Sequence, residues 1–291
     1  MPAWYSGRHG LPQLIGPLAS AIADVGTVRR GFRWGLPRPS TWPEAEPALP
    51  ERPSNLGWAR MEPVRTLRFL LQRGLLMPFT DVMTRPRIEG AEWVRGLERP
   101  AILAANHVSH ADTSLLLYAL SQRVRERTVV AAAADYWYRR PWLGRFVSLW
   151  LNTFPFSRTG GPQAVLSSSS QLLKSGWNLL VYPEGTRSPD GRLQDFKPGV
   201  GFLATETGAP VIPMHVRGSH RVMPKGRRLP LPAPVTIRIG KPLQPRRGET
   251  ARGFTERVER AVRGLANGTE DADIRGTWIE RWRASAPRGR A

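Results

Sequence analysis

The 291-residue sequence contains no cysteine, and this absence excludes three kinds of chemistry. A chain without thiols forms no disulfide, holds no thiolate-bound metal and uses no cysteine nucleophile. The sequence also has no run near the ~18 consecutive apolar residues of a membrane-spanning helix. The apolar stretch at residues 11–25 contains Pro12 and Pro17 and follows no basic cluster, so we expect no secretion signal. These absences favour a chain that is soluble or lies on the cytoplasmic face of a membrane without crossing it.

Lysine is scarce, although the chain is strongly basic. Its 43 basic and 23 acidic residues give a net charge of +20, and only four of the basic residues are lysine. A field of this sign attracts nucleic acids, anionic lipid headgroups or acidic substrates. The sequence has no helix-turn-helix, zinc or aromatic-sheet pattern of a nucleic-acid reader, so we expect no nucleic-acid partner. A basic module that binds membrane or nucleic acid without catalysis, or an inert basic surface, stays open as an alternative.

The chain divides into three regions by composition. Residues 1–60 carry prolines at intervals too short for a helix or a central strand, so we expect a largely disordered tail or linker. In residues 61–84 leucines recur at helical spacing with arginines between them, which predicts a basic amphipathic helix that breaks near Gly74 and Pro78. Such a helix either lies on a membrane with its arginines at lipid phosphates, or packs on the protein core. Residues 85–291 form the main domain with its C-terminal helices.

Short apolar runs alternate with helical patterns from residue 85 onward. The predicted strands are residues 101–105, 129–133, 150–156, 179–182, 211–216 and 235–239, and the predicted helices are residues 114–122, 142–149, 162–175, 200–207 and 254–265. This alternation predicts an α/β domain with a largely parallel central sheet flanked by helices. Ligands of such sheets bind at the carboxyl ends of the strands. A further segment, residues 274–284, places Trp278 and Trp282 among arginines and suits either an interface or docking on the domain.

A histidine and an aspartate stand five residues apart where a predicted strand ends and a helix begins. A turn between them can fold the Asp112 carboxylate back onto the His107 imidazole. A carboxylate on one ring nitrogen fixes the tautomer and stabilises the imidazolium, so His107 can act as a general base with Asp112 as its partner. Asp112 also suits the N-cap of the following helix. His110 is a rival base, although it lies only two residues from Asp112, and a surface histidine beside a helix cap is the alternative without chemistry.

Three further polar turns follow apolar runs. The turn Tyr182–Ser188 contains Gly185, which lets backbone amides approach a ligand, and Arg187, whose forked guanidinium suits phosphate. The same turn offers further substrate contacts from Glu184, Thr186 and Ser188. Arg158 and Lys197 are additional candidate anion contacts, the latter at the start of a helix. Solvated surface turns are the alternative, and no further histidine cluster completes a metal site, so we expect no metal ion.

These pieces together resemble the glycerolipid acyltransferase family, the PlsC-like proteins whose best-known members are the 1-acylglycerol-3-phosphate acyltransferases. The family's first block has a histidine and an aspartate with four residues between them. It matches His107 and Asp112, with Asn106 before the pair and Ser109 inside it. The third block, Phe-Pro-Glu-Gly-Thr-Arg-Ser, matches Tyr182–Ser188 with tyrosine in place of phenylalanine.

The remaining blocks extend the resemblance along the chain. The second block ends in an arginine, which we match to Arg158, and the fourth is an apolar strand with proline, which resembles Val211-Ile212-Pro213-Met214. The blocks occur in the family's order and cover about residues 60–265, whereas residues 1–60 have no counterpart.

The resemblance implies transfer of a fatty acyl group from acyl-CoA or acyl-ACP, as co-substrate and with no other cofactor, to the 2-hydroxyl of lysophosphatidic acid. His107 would deprotonate that hydroxyl, and the alkoxide would attack the thioester directly. Backbone amides near the start of the Asp112 helix would stabilise the oxyanion. The acceptor would contact the block residues, namely Asn106, Ser109, Glu184, Gly185, Thr186, Arg187 and Ser188, with Arg158 and Lys197 at its phosphate.

The resemblance also implies partners and leaves the acceptor open. The family's membrane-docking element corresponds to residues 61–84, which would place the chain peripherally on an anionic membrane surface. Acyl carrier protein would be a partner if it carries the donor. Another lysophospholipid, glycerol 3-phosphate or a lipid from another pathway remains an alternative acceptor.

Overall fold

The computed structural model describes residues 56–95, 97–156, 162–224 and 229–267. Most of the predicted tail and the predicted segment at residues 274–284 lie outside these ranges. Residues 56–60, which the sequence analysis assigned to the tail, form a 3-10 turn in which Ala59 is fully buried. The predicted tail therefore extends too far, because Ala59 packs into the core.

The described residues contain one seven-stranded sheet in the order β1-β7-β6-β2-β5-β3-β4. Its strands are β1 (Arg87–Glu89), β2 (Ile102–Ala105), β3 (Thr128–Ala133), β4 (Thr153–Phe156), β5 (Asn178–Val181), β6 (Val211–Arg217) and β7 (Thr236–Ile239). Five neighbouring strands, from β6 to β4, are parallel to one another. β7 runs antiparallel to β6, and β1 runs parallel to β7. The carboxyl ends of β2, β3, β4, β5 and β6 therefore share one edge of the sheet.

Helices connect the strands and cover the sheet. They are α1 (Glu62–Leu71), α2 (Met77–Thr84), α3 (Glu92–Arg95), α4 (Asp112–Ala119), α5 (Gln122–Glu126), α6 (Ala134–Trp137), α7 (Pro141–Leu151), α8 (Pro162–Lys174), α9 (Gly199–Thr207), α10 (Ser219–Val222) and α11 (Ala251–Asn267). The fold class predicted from the sequence, an α/β domain with a largely parallel sheet flanked by helices, is confirmed. Short β1 was missed, because three residues carry no legible periodicity.

The core lies on both faces of the sheet, because side chains alternate along each buried strand. In β2, Leu103 belongs to the cluster that contains the apolar face of α4. Ile102 and Ala104 belong to the opposite cluster, with Phe254 of α11. All of β2 is buried, which explains why its sequence is a continuous apolar run. The strand that precedes His107 is thus fixed from both sides.

The segment from α1 to α2 has its polar side inward. A π-helical turn, Gln72–Leu76, joins the two helices at the predicted break around Gly74. The buried polar residues of the whole segment, residues 61–84, are Arg68, Gln72, Thr80 and Thr84. Its exposed apolar residues are Met61, Leu67, Leu70, Leu75, Phe79 and Val82. Arg68 donates to the carbonyl oxygens of Ala59, Ser148 and Leu149, so it does not point outward as the membrane interpretation of the sequence expected. In the described ranges no helix is long and apolar enough to cross a bilayer.

Gly201 lies where α9 closely approaches α11. A Cβ atom there would lie 1.9 Å from the Ala251 carbonyl oxygen and 2.4 Å from Thr255 Oγ1. We predict that Gly201→Ala lowers the free energy of unfolding by about 1–3 kcal/mol through overpacking. The matched control is Gly264→Ala within α11, where nothing lies within 4 Å. It should leave stability unchanged or raise it by up to about 1 kcal/mol. Urea unfolding of both variants measures the difference, and equal effects would refute the contact.

Candidate active site

The His107 and Asp112 side chains form a pair at the carboxyl end of β2. His107 Nδ1 lies 3.0 Å from Asp112 Oδ2, which also accepts hydrogen bonds from the amides of Val108 at 2.7 Å and Ser109 at 2.8 Å. Asp112 is fully buried, whereas the His107 side chain is 20% exposed. With Nδ1 donating to the carboxylate, the neutral ring leaves Nε2 free to accept a proton. The geometry therefore suits a general base.

Asp112 does not cap its own helix. It is the first residue of α4, and no side chain caps that helix end. Its carboxylate instead accepts from the two amides that precede the helix, so the N-cap role expected from the sequence is wrong. These contacts hold the turn between His107 and α4 in the conformation that brings the carboxylate to the ring.

The backbone amides at the start of this helix are already used. Those of Val108 and Ser109 donate to Asp112, and that of His110 donates to the Met223 carbonyl oxygen at 3.3 Å. Those of Ala111 and Asp112 donate to the side-chain and backbone oxygens of Ser109. The expectation that amides near the start of the Asp112 helix form an oxyanion hole is therefore wrong for the five from Val108 to Asp112.

The turn after β5 holds His107 from a second side. The His107 amide donates to Glu184 Oε1 at 2.8 Å, and its carbonyl oxygen accepts from the Ser188 amide at 2.8 Å. The Tyr182 ring stacks on the imidazole with centroids 4.0 Å apart. Tyr182 Oη also lies 2.8 Å from Thr113 Oγ1. Tyr182 was not among the site residues predicted from the sequence, because stacking between turns 75 positions apart leaves no local pattern.

Glu184 is a buried carboxylate whose two oxygens both accept backbone hydrogen bonds. Oε1 accepts from His107 and Oε2 accepts from the Gln194 amide at 3.1 Å, and the residue is 2% exposed. Burial raises the pKa of Glu184 to about 7, the nearby Asp112 charge adds to the rise, and the two amides oppose it. Its position ties the two site turns together and leaves almost no surface for a substrate.

Three other predicted substrate contacts also point into the protein. Asn106 exchanges two hydrogen bonds with the backbone of Val216 on β6. Ser109 Oγ donates to the Met223 carbonyl oxygen, and Ser188 Oγ donates to Asp190. At most 2% of each of these residues is exposed, so in this structure they support the turns and do not line an open surface.

The open side of the site is basic. Thr186 and Lys197 are exposed, and Arg187 is half-buried. Lys197 lies across Gly185, where φ is +75° and a Cβ atom would sit 2.8 Å from the Lys197 ammonium nitrogen. The positive φ favours glycine here, whereas the exposed Lys197 side chain could move away from an added Cβ atom. Arg158 lies outside the described residues.

His110 lies beside the pair but has a different environment. Its ring centroid is 6.0 Å from that of Tyr136 and 6.1 Å from that of Trp137. Burial, with smaller contributions from Arg187 and His107, lowers the pKa of His110 to about 4. The carboxylate of Asp112 contacts His107 instead, so the geometry favours His107 over His110 as the base.

Comparisons with known proteins were consistent with this geometry. The family profile described as Acyltransferase matches residues 85–217, which include both site turns. A Cocos nucifera protein named 1-acyl-sn-glycerol-3-phosphate acyltransferase is 30% identical over 54% of this chain and 49% of its own length. A Pseudomonas aeruginosa protein of the same name is 30% identical over 58% of this chain and 65% of its own length. The match thus spans about half the length of the coconut relative.

A solved structure gives the same result for the fold. The crystal structure of the 1-acyl-sn-glycerophosphate acyltransferase PlsC from Thermotoga maritima superposes with a TM-score of 0.54 at 26% identity. The superposition covers 72% of this chain and 86% of the Thermotoga maritima chain. Residues 85–217 thus match the acyltransferase family, and the chain is similar to PlsC-like acyltransferases in sequence and fold. Within the described ranges of the chain, no three His, Asp or Glu side chains gather as metal ligands.

The raised pKa of Glu184 predicts a pH-dependent contribution to stability. Its value of about 7 in the folded chain exceeds the ordinary 4.5, so the folded state binds this proton more tightly than the unfolded state. The stabilisation is present below about 4.5 and is lost as pH rises through about 7. We predict that wild type loses about 2 kcal/mol relative to Glu184→Gln between these limits.

Urea unfolding of both proteins at pH 5 and pH 7.5 measures this difference. The comparison is needed because His110 and His215 have pKa values lowered to about 4 and contribute the opposite slope in both proteins. The hydrogen bond that glutamine cannot accept lowers stability by the same amount at both pH values. Identical pH slopes in the two proteins would contradict the prediction.

Proposed function

We propose that this chain transfers a fatty acyl group from an acyl thioester to the 2-hydroxyl of lysophosphatidic acid. The observation that carries the proposal is the His107–Asp112 pair, with the Nδ1 side of the ring held by a buried carboxylate and part of the ring open. The names of the relatives support the acceptor, since they are called 1-acyl-sn-glycerol-3-phosphate acyltransferases. Coenzyme A or acyl carrier protein carries the donor acyl group.

The proposed reaction needs one proton transfer in each direction. His107 Nε2 takes the proton of the acceptor hydroxyl as its oxygen forms a bond to the thioester carbonyl carbon. Asp112 stabilises the resulting imidazolium. When the carbon–sulfur bond breaks, the imidazolium returns the proton to the leaving thiolate. The ester and the free thiol are the products, and no acyl-enzyme is required.

The basic open side of the site suits the acceptor's phosphate. Arg187 can make a forked contact with phosphate oxygens, and the exposed Lys197 ammonium lies beside Gly185 in the same turn. Arg187 forms no ion pair with any carboxylate in the described ranges. Both cations therefore keep their charge for an anionic group, and Arg158 is proposed as a third contact.

The inward polar side of α1 and α2 supports peripheral docking on a membrane. Between Met61 and Thr84 six apolar residues are exposed while four polar ones are buried, and an ordinary surface helix buries its apolar residues instead. Placing this apolar surface in the lipid interface removes it from water, and the net charge of +20 attracts an anionic leaflet. We propose that the chain binds the cytoplasmic face of a membrane in this way.

The catalytic proposal predicts the loss of activity in His107→Ala. Removing a general base lowers the rate by about 100- to 10,000-fold. The assay follows thiol release from acyl-CoA with a panel of acceptors: lysophosphatidic acid, another lysophospholipid, glycerol 3-phosphate and a monoacylglycerol without phosphate. The exposed His220→Ala serves as the matched control and should retain activity. Full activity of a folded His107→Ala protein would refute the mechanism, and preference for the acceptor without phosphate would refute the roles of Arg187 and Lys197.

The membrane proposal predicts that two charges on the exposed apolar surface abolish vesicle binding. Leu70 is 58% exposed and Phe79 is 46% exposed, so Leu70→Glu with Phe79→Glu should leave folding intact. Each side chain contributes about 1.5–3 kcal/mol when fully buried, so binding to vesicles with anionic lipid should weaken more than about tenfold. Phe202→Glu, at a residue 50% exposed on α9, is the control in a sedimentation assay. An equal loss in both proteins would show that charge alone is responsible.

A further inference from the structure

Among the described residues, Arg187 lacks the carboxylate partner that several other arginines have. Arg238, Arg257 and Arg263 each pair with a carboxylate, at 2.9, 2.6 and 2.8 Å. Arg187 makes no such pair with the described residues, and its buried Nη1 atom has no hydrogen-bond partner among them. A long, charged side chain without these contacts would ordinarily sample many rotamers. A contact of another kind is therefore needed to hold the Arg187 side chain in one orientation at the site.

The neighbour that does so is an aromatic ring. The Arg187 guanidinium carbon lies 5.7 Å from the Tyr136 ring centroid, within the range of cation–π attraction. Tyr136 belongs to α6, which follows β3 at the same edge of the sheet as the two site turns. Its ring is in turn held edge-on by Trp137, with centroids 5.0 Å apart at 86°. Together with His110, these two rings form a surface that we call the aromatic wall.

The aromatic wall restrains the guanidinium without cancelling its charge. A carboxylate would hold Arg187 as firmly, but it would neutralise the charge that an anionic substrate needs. The face of a tyrosine ring carries a partial negative charge and no net charge. His110 in the same wall has its pKa lowered to about 4 and is therefore neutral near pH 7. No carboxylate among the described residues pairs with the guanidinium, which lies beside Tyr136 and close enough to His110 to lower the pKa of that imidazole.

We propose that Tyr136 is a positioning residue that orients Arg187 toward the phosphate of the acceptor. This inference rests on the proposed function, since it assigns the acceptor's anionic group to Arg187. Tyr136 acts through the face of its ring and not through its hydroxyl, so phenylalanine can replace it. It is 49% exposed, and its removal therefore leaves the core intact. The role concerns acceptor affinity and not the proton transfer at His107.

The experiment compares two variants of Tyr136 with a matched control. Tyr136→Phe keeps the ring, whereas Tyr136→Leu keeps much of the bulk but removes the π face. Trp93→Leu removes a similar pair elsewhere, because Lys241 lies 5.9 Å from the Trp93 ring centroid. Trp93 follows β1, whose carboxyl end lies at the opposite edge of the sheet. Binding of glycerol 3-phosphate, a soluble probe for the headgroup, is measured by calorimetry, and kcat and KM are measured with lysophosphatidic acid.

The expected result is a change in affinity confined to the leucine variant at residue 136. Tyr136→Leu should weaken glycerol 3-phosphate binding and raise the KM for lysophosphatidic acid about fivefold, with kcat within about twofold of wild type. Tyr136→Phe and Trp93→Leu should match wild type in both measurements. In an Arg187→Ala background, Tyr136→Leu should have no further effect, since the two residues act through one contact.

Several outcomes would overturn the inference. They are wild-type affinity in Tyr136→Leu, an equal loss in Tyr136→Phe, or an undiminished effect in the Arg187→Ala background. Failure of the proposed function has a separate signature. If wild type bound glycerol 3-phosphate but released no thiol, acyl transfer would be refuted, and the calorimetric comparison would still decide the role of Tyr136.

Discussion

The site depends on one oxygen atom, Asp112 Oδ2. It accepts hydrogen bonds from the imidazole of His107 and from the amides of Val108 and Ser109. The hydrogen bonds from the two amides hold the turn in the conformation that brings the carboxylate to the imidazole. The imidazole then donates the third hydrogen bond to the same oxygen. Removing the carboxylate would therefore release both the imidazole orientation and the turn that carries it. The same oxygen also lies where it can pair with the imidazolium that forms when His107 takes a proton.

The sheet brings the other parts to this atom. β2, β5 and β3 are neighbours with the same direction, so the turns that follow them meet at one edge. The first carries His107, the second Glu184 and Arg187, and the third Tyr136. Glu184 connects the turns after β2 and β5 by accepting a hydrogen bond from the His107 amide. Tyr136 connects the turn after β3 to the turn after β5 through its contact with Arg187. The site is therefore a set of contacts between turns, each supported by a buried strand.

The sequence was informative wherever a residue acts through its own chain neighbours. The strands from 101–105 to 235–239 are short segments rich in apolar residues, and the five-residue spacing of His107 and Asp112 spans a single turn, so both could be predicted. Contacts between distant segments could not be predicted. The stacking of Tyr182 on His107 and of Tyr136 on Arg187 joins residues that only the sheet order brings together. The burial of individual polar side chains could not be predicted from the sequence either. Asn106 and Ser109 were therefore predicted to contact a substrate, whereas in the structure they form hydrogen bonds with the backbone. The helical period of residues 61–84 was predicted correctly, but the inward direction of Arg68 depends on the carbonyl oxygens of α7.

Those carbonyl oxygens give α1 a mechanical role. Arg68 of α1 donates to the carbonyl oxygens of Ser148 and Leu149, and Gln72, directly after α1, donates to that of Trp150, so both side chains use carbonyl groups in the last turn of α7 as acceptors. α7 leads directly into the amino end of β4, a strand whose carboxyl end lies at the edge of the sheet that carries the site. Directional hydrogen bonds therefore connect α1, which carries the apolar surface, to the helix that precedes β4. Such bonds fix the relative position of two helices more strictly than apolar packing alone. If this surface rests on lipid as proposed, the protein sits there at one fixed tilt and depth. The distance of His107 from the bilayer surface is then fixed by the fold. The site would accept only those hydroxyl groups that extend from the membrane by this distance.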